Sequence, residues 1–300
     1  MSILWTLGQV VALLVAAPLL SGIIKNAKAR MQNRRGPYIF QPYRDFLKWL
    51  RKDTVLSPTV SWIFKIAPYV YFAAAVSGAA LVPIFFPAVN SYSDLIVFIY
   101  VLALGRFFLV LASLDAGSSF GGMGGSREMF IAVLVEPALL LTLLTVAFKA
   151  NTTGLWAMAQ SAAQNPFTLP YLFSAIAFFI VILAETGRIP VDNPDTHLEL
   201  TMIHEGMVLE YSGRKLAMIF WASAVKQLAI IVLFVQLFLP WKLPESLFFF
   251  NWLWVLCKIL LVAFAIALAE TVTNKMRLFR VPGFLATACL LSLLALVAQS

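Results

Sequence analysis

Charge is scarce in this chain. Only 12% of its 300 residues are Asp, Glu, Lys or Arg, about half the share of a soluble domain, while 61% are hydrophobic. That balance excludes a soluble enzyme. Cysteine is scarcer still. Cys257 and Cys289 are the only two, both inside apolar segments, where a thiol acts as a small packing residue. An iron–sulfur cluster needs about four ligands, so none is expected here. No GxxxxGK phosphate loop occurs, which argues against an ATP-driven pump. The N-terminus lacks the basic stretch of a secretory signal, and its charges follow the first apolar run instead. A retained first span is expected, not a cleaved peptide.

What the chain does have is long apolar runs. Eight stand out, at 3–20, 66–86, 95–114, 129–148, 171–184, 216–239, 247–269 and 281–298. A bilayer core needs roughly 20 apolar residues of helix per crossing, and runs of this length cross lipid as helices. The expected fold is an all-α membrane protein of about eight transmembrane helices, one polytopic domain over residues 1–300.

The bases assign its sides. With the loop after the first run in the cytoplasm, that side carries seventeen Lys and Arg and the other only Lys149 and Lys242. The positive-inside bias then places loops 25–65, 115–128, 185–215 and 270–280 in the cytoplasm and both termini outside. Nine of the 22 bases fall between Lys25 and Lys52, against the first span, which suits lipid headgroups better than nucleic acid. After Pro42, residues Tyr43, Phe46, Leu47 and Leu50 follow the i, i+3, i+4, i+7 spacing of one apolar helix face. An amphipathic helix in the membrane interface is expected there. Covering the ends of other spans is a second reading, compatible with the first.

Acids are concentrated in one loop. Glu185, Asp192, Asp195, Glu199, Glu205 and Glu210 make up six of the chain's 14, all between two apolar spans. Charge near a bilayer marks a functional site by default. Asn193 and Pro194, or Thr196 with Glu199, offer starts for a short helix running toward Leu209. Complementing that helix's dipole is the lesser, second reading of these acids. His197 and His204 share a face of it, but seven residues of helix separate them by about 10 Å, too far for one metal ion. Proton exchange or a hydrogen bond to a partner suits them better, and no metal site is expected.

Other ionisable groups lie within or at the mouths of spans. Glu136 falls two turns into span four with Glu128 at its cytoplasmic mouth, Glu185 closes span five, Glu270 closes span seven, and Lys226 and Lys258 fall near mid-span. Such groups pair or line a hydrated path. The path is favoured for Glu136 and Lys226, and a structural role for Arg106. The candidates for an ion path are thus Glu136, Glu185, Lys226, Lys258 and Glu270 in or at the spans, with Asp192, Glu199, Glu205 and Glu210 in the acidic loop. The glycines at 121, 122, 124 and 125 read as a flexible, closely packed loop before span four.

Several of these segments resemble one family. They are Met31-Gln32-Asn33-Arg34-Arg35-Gly36-Pro37, Gln41-Pro42 with Lys48, Arg127 with Glu136, the stretch from Glu185 to Asp192, and Glu210-Tyr211-Ser212-Gly213. Together they resemble the proximal membrane subunit of respiratory complex I and its homologues in energy-converting nickel–iron hydrogenases. The resemblance implies a subunit without a redox centre. Such a subunit anchors a peripheral electron-transfer arm and passes the coupling signal to antiporter-like membrane subunits. It implies coupling roles for Glu136, Glu185, Asp192 and Glu210, and arm docking through Arg34, Arg35, Gly36, Pro37, Arg188, His197 and His204.

After Asp192 the loop departs from the glutamate-rich complex I pattern and reads Asn193-Pro194-Asp195-Thr196-His197-Leu198-Glu199. That version is similar to the hydrogenase-4 and formate-hydrogenlyase type. It implies partners with a nickel–iron centre and iron–sulfur clusters: hydrogenase-like large and small subunits and an iron–sulfur subunit, in a prokaryotic inner membrane. No cofactor is expected in this chain. Two alternatives stay open, a quinone-site-forming subunit of a complex I-type oxidoreductase and a free-standing ion or solute transporter.

Overall fold

The computed structural model describes residues 2–84, 93–164, 168–193, 202–241 and 251–299. Its helices, in chain order, are α1 (Ser2–Met31), α2 (Gln41–Leu50), α3 (Trp62–Leu81), α4 (Leu95–Asp115), α5 (Ser119–Ala150), α6 (Leu155–Gln164), α7 (Leu169–Glu185), α8 (Gly213–Phe238), α9 (Asn251–Val272) and α10 (Val281–Val297). Short 3-10 turns occur at Glu205–Val208 and Leu278–Arg280. Among the described residues seven helices are long and apolar enough to cross a membrane (α1, α3, α4, α5, α8, α9, and α10 taken with the 3-10 turn before it, 20 residues from Leu278 to Val297), and the 17-residue α7 is a shorter apolar one. The chain is an all-α, multi-pass membrane protein.

The helix α8 is the centre of the bundle. From Ala224 to Val235 every residue on it is buried, as expected of a helix apolar on all sides. Around it, α1 packs on α8, α9 and α3; α3 packs on α4 and α8; α10 lies against α5 and α7. Lipid tails are as apolar as Leu, so close packing at small residues holds such helices together. Gly105 of α4 illustrates this, since a Cβ there would fall 2.9 Å from the Ala74 Cβ of α3.

The amphipathic segment after Pro42 is the helix α2, and its apolar face is covered in part: Phe46 is buried, while Leu47 and Leu50 stay exposed. Phe46 stacks on Trp221 at 6.0 Å and Trp49 on Phe220 at 5.2 Å, both on α8. Covering α8 is thus one of its roles. The loop beyond α2 locks to the start of α8. Ser212 bonds Val55 through both its donor and its acceptor, and the Tyr211 ring stacks on Phe64 at 3.9 Å. Gly213 makes this possible, with φ of +55° and no room for a Cβ, which would lie 2.5 Å from the Asp53 carbonyl oxygen.

Three expectations are corrected. The glycines at 121–125 are helix, not loop, because Ser118 caps α5 by accepting from the Gly121 N–H at 3.2 Å. At 32 residues α5 is about 48 Å long, beyond the ~30 Å hydrocarbon core, so these glycines extend the span outside lipid. Their packing is close, as expected. A Cβ on Gly124 would meet the Ile203 and Gly206 backbone at 3.0 Å, so bare backbone lets the 185–215 loop rest on α5. Second, the helix expected to run to Leu209 is, over its described part, only the turn at Glu205–Val208; residues 194–201 lie outside the described ones. Third, α6 was not anticipated. It buries Leu155, Met158 and Ala162 beyond the far end of α5.

Candidate functional site

Glu128, Glu136 and Glu185 converge on Arg106 of α4, and Lys226 joins them through Glu185. The Arg106 guanidinium is buried, and three carboxylates surround it. Its Nη1 is 3.2 Å from Glu136 Oε1, its Nε 3.7 Å from Glu128 Oε1, and its Nη2 bonds Glu185 Oε1 directly. Lys226 of α8 reaches the same Glu185 oxygen at 2.8 Å. Four helices thus each supply a charge, α4, α5, α7 and α8. Glu185 is nearly sealed, with its side chain 1% exposed, whereas Glu136 is 37% exposed.

The exposure of Glu136 has a structural cause. It lies on an open groove of about 710 Å³ between α4 and α5, whose walls include Val97, Tyr100, Leu104, Phe107 and Met129. Arg106 lines the same groove and so links it to the sealed interior. Counted as charged, Glu128, Glu136 and Glu185 outweigh Arg106 and Lys226 by one negative charge. Burying an ion costs several kcal/mol even after relaxation, so such a set is stable only when its members neutralise one another.

A second set adjoins the first. Arg188 Nη1 is 3.1 Å from Glu270 Oε1, and Lys28 Nζ is 3.1 Å from Glu270 Oε2. Arg188 Nη2 donates to Gln227 Oε1 at 3.0 Å, and the Ser21 hydroxyl donates to the same oxygen at 3.3 Å. Gln227 follows Lys226 on α8, so adjacent side chains of one helix belong to the two sets. Among the described residues, Arg106 Nε, Glu185 Oε2, Gln227 Nε2 and Glu270 Oε2 are the buried side-chain polar atoms that make no hydrogen bond. Arg106 Nε and Glu270 Oε2 still face charged partners, Glu128 at 3.7 Å and Lys28 at 3.1 Å, so the cost of about 1–3 kcal/mol for an unmade hydrogen bond falls on Glu185 Oε2 and Gln227 Nε2.

Other expected site residues lie apart from this network. Asp192 holds the loop together: Oδ2 accepts from the Ile203 and His204 N–H groups at 3.3 and 3.2 Å, while Oδ1 pairs with Lys275 at 2.8 Å. Lys258, read as mid-span, is in the second turn of α9. It donates to the Leu239 carbonyl at 2.7 Å and to that of Trp241, capping the end of α8 far from the acids. Glu205 opens the 3-10 turn and Glu210 is exposed. His197 and Glu199 lie outside the described residues.

The half-buried His204 is held below its usual 6.5, burial being the largest cause, and so is neutral at pH 7. Because the folded value lies below the unfolded one, its contribution to loop stability is complete above pH 6.5. That contribution is lost as pH falls through the depressed value. Arg34 and Arg35 are exposed on a loop pinned to α1, where Asn26 Nδ2 donates to the Pro37 carbonyl at 2.8 Å. Gly36 fits against α1 closely enough that a Cβ would touch Ala29 at 3.0 Å. Among the described residues no group of three or more His, Cys, Asp and Glu could hold a metal ion.

Arg106, read as structural, is the geometric centre of the first set of ion pairs. Lys28 and Gln227 were missed. One was hidden in a run of bases, and the other carries no charge.

Comparison with known proteins agrees with this architecture. A family model described as NADH dehydrogenase matches residues 4–299. Hydrogenase-4 component C of Escherichia coli (strain K12) is 38% identical over 251 residues, 82% of this chain and 78% of that one. Formate hydrogenlyase subunit 4 of the same organism is 36% identical over 250 residues, 82% of this chain and 80% of that one. NADH-ubiquinone oxidoreductase chain 1 of Cyanidium caldarium is 30% identical over 260 residues, covering 83% and 74%. The fold matches a chain of the membrane-bound sulfane sulfur reductase, an archaeal respiratory membrane complex, with a TM-score of 0.85. That match has 21% identity and covers 100% of this chain and 99% of that one. The chain belongs to the NADH dehydrogenase family of membrane subunits.

Proposed function

We propose that the chain is the membrane anchor and coupling subunit of an energy-converting, hydrogenase-like complex, linking peripheral electron transfer to ion translocation. The observation that carries this reading is the buried Arg106 shared by Glu128, Glu136 and Glu185 and continued by Lys226. A static bundle gains little from it, because well-packed apolar side chains hold helices at least as well as buried charges do. A network that redistributes charge on protonation has a use for it. Names of relatives support the hydrogenase branch, at 36% and 38% identity. The NADH-ubiquinone oxidoreductase relative, at 30%, keeps a quinone-reductase subunit as the second reading.

In this account the peripheral arm docks on the basic end of the bundle. Arg34 and Arg35 stand exposed there, and Arg188 ties the acidic loop to the helices. Glu185, at the last residue of α7, receives the signal from that loop. Arg106 then divides its pairing between Glu185 and Glu136, and Glu136 exchanges an ion at the groove. Nickel–iron and iron–sulfur centres belong to the hydrogenase-like large and small subunits and an iron–sulfur subunit, with antiporter-like subunits alongside in a prokaryotic inner membrane.

Purification of the native complex in mild detergent tests the partners. Stoichiometric nickel and iron are expected with the intact complex and none with the isolated chain. Quinone reduction by a nickel-free complex would favour the second reading, and a chain that migrates alone would contradict both.

The side assignment is tested separately. In a Cys257→Ser/Cys289→Ser background, Gln32→Cys should label from the cytoplasm and Gln164→Cys from outside, as the seventeen-to-two bias of bases requires. Labelling of both from one side would overturn the orientation.

A further inference from the structure

A second groove, sharing no residue with the Arg106 network, lies between α1, α9 and the loop before α2. Its volume is about 370 Å³, and Ile23, Asn26, Ala27, Arg30, Ile39 and Phe264 are among its walls. The α1 residues of this set recur at three- and four-residue intervals, so they form one stripe of that helix. From Ile23 to Arg30 the stripe is about 10 Å long. Thr271 of α9 reaches the Met31 sulfur at 3.7 Å, which sets the register of the two helices. Phe264, seven residues before Thr271, is therefore level with the Ile23 end. The third wall is held in place too. Ile39 belongs to the loop that Asn26 pins by donating to the Pro37 carbonyl at 2.8 Å. Gly22 lets that loop lie directly on α1, because a Cβ there would collide with the Ile39 carbonyl oxygen.

The two ends of the groove differ in chemistry. Ile23, Ala27, Ile39 and Phe264 make the deep part apolar, whereas Arg30 is exposed in the last turn of α1. Tyr38, Phe40 and Tyr43 form a ladder of rings on the neighbouring loop and the start of α2. Their centroids are 5.7 and 6.1 Å apart, and the Arg44 guanidinium lies 5.1 Å over Tyr38. Aromatic and basic side chains of this kind collect where hydrocarbon meets headgroups. Arg30 thus stands at headgroup depth, with the apolar wall below it at the depth of acyl chains. Acids are missing from this corner. None precedes Asp45 in the chain, and Asp45 accepts from Gln41 at 2.9 Å. Glu270, which α9 brings to the same end, is taken by Lys28 and Arg188.

We propose that this groove holds one anionic phospholipid, its phosphate on the Arg30 guanidinium and the start of an acyl chain against Ile23, Ala27 and Phe264. A cationic rim over an apolar slot between spans is complementary to such a lipid, and the planar guanidinium meets phosphate through two parallel N–H donors. The proposal is independent of the coupling reading; it needs only that α1 crosses the membrane with Arg30 at its surface. The lipid has a use there. One stripe of α9 is buried in the bundle, through Val262, Ala263, Ile266 and Ala267, while Phe264 stays exposed beside it. A bound acyl chain extends the packing of α9 onto α1 where the protein leaves a gap.

The test uses the intact complex in lipid nanodiscs doped with a phosphatidylglycerol that carries a photoreactive diazirine on its acyl chain. Cross-linked peptides are mapped by mass spectrometry, and adducts are expected at Ile23, Ala27 or Phe264. The same probe on phosphatidylcholine should give about five-fold fewer, the usual effect of one base near an anionic headgroup. Arg30→Gln should lower the phosphatidylglycerol yield to that level. Equal yields from the two lipids, or from Arg30→Gln and wild type, would mean ordinary boundary lipid and would overturn the proposal. Inorganic phosphate at the probe's concentration should leave the yield unchanged; competition by it would mean that Arg30 binds a free anion without the apolar wall. No adducts at these positions would overturn the proposal in favour of a partner helix in the groove. Should Arg30→Gln fail to assemble, Ala27→Phe fills the groove and keeps every charge. It should abolish the preference for phosphatidylglycerol, and a preference that persists overturns the assignment.

Discussion

Arg106→Met is expected to lose the assembled complex, and a second change should restore it. The substitution keeps an unbranched apolar stem but removes the cation that Glu128, Glu136 and Glu185 share. Lys226 alone would then face three carboxylates, two negative charges in excess where the wild type has one. Breaking a buried ion pair by deleting one partner costs about 3–5 kcal/mol, a large fraction of the ~5–15 kcal/mol that typically holds a domain together. Adding Glu185→Gln leaves two acids and one base, the wild-type excess of one. Yield and thermal midpoint in detergent should therefore fall sharply in the single variant and recover in large part in Arg106→Met/Glu185→Gln. A single variant as stable as wild type would mean that Arg106 does not neutralise these acids. The recovery concerns folding only, and the double variant is expected to stay uncoupled.

Much of the fold was legible because lipid imposes a length and a composition on every crossing. Seven of the eight apolar runs became long helices and the eighth became the short α7. Individual site residues were legible for the same reason: Glu136, Glu185, Lys226 and Glu270 are conspicuous charges in apolar surroundings. Their pairing was not. Arg106 meets Glu136 across 30 residues and Glu185 across 79, and Arg188 meets Glu270 across 82. Nothing in local spacing encodes contacts between helices so far apart in sequence. Lys28 was hidden because its neighbours Lys25 and Arg30 are also basic, and a run of bases reads as a solvated surface.

Lys258 misled for a different reason. Its place in the apolar run put it near mid-span, but its long stem carries the ammonium to the Leu239 carbonyl, which makes it a cap on α8. The glycines at 121–125 misled because local propensity disfavours a glycine-rich helix. Ser118 capping and the close approach of the 203–207 backbone outweigh that propensity. The small helix α6 had a readable signal, apolar residues at 155, 158 and 162, but too few turns to stand out between two spans.

Glu136 carries the central claim. It is the acid of the network that lines the groove, at 37% side-chain exposure, and it still lies 3.2 Å from the Arg106 guanidinium. A carboxylate so placed can change protonation and pass the consequence inward through one hydrogen bond. Glu136→Gln keeps the size of the side chain and an oxygen to accept from Arg106 Nη1, but removes the titratable charge. Loss of one partly exposed acid costs far less than loss of the buried arginine, so the complex should assemble. The decisive measurement is the number of ions moved per electron by the Glu136→Gln complex in sealed vesicles, taken beside its rate of electron transfer. The account predicts electron transfer that persists, slowed at most, with a several-fold fall in ions per electron. An assembled variant that pumps at the wild-type ratio would contradict it, and would make Glu136 a packing residue of α5.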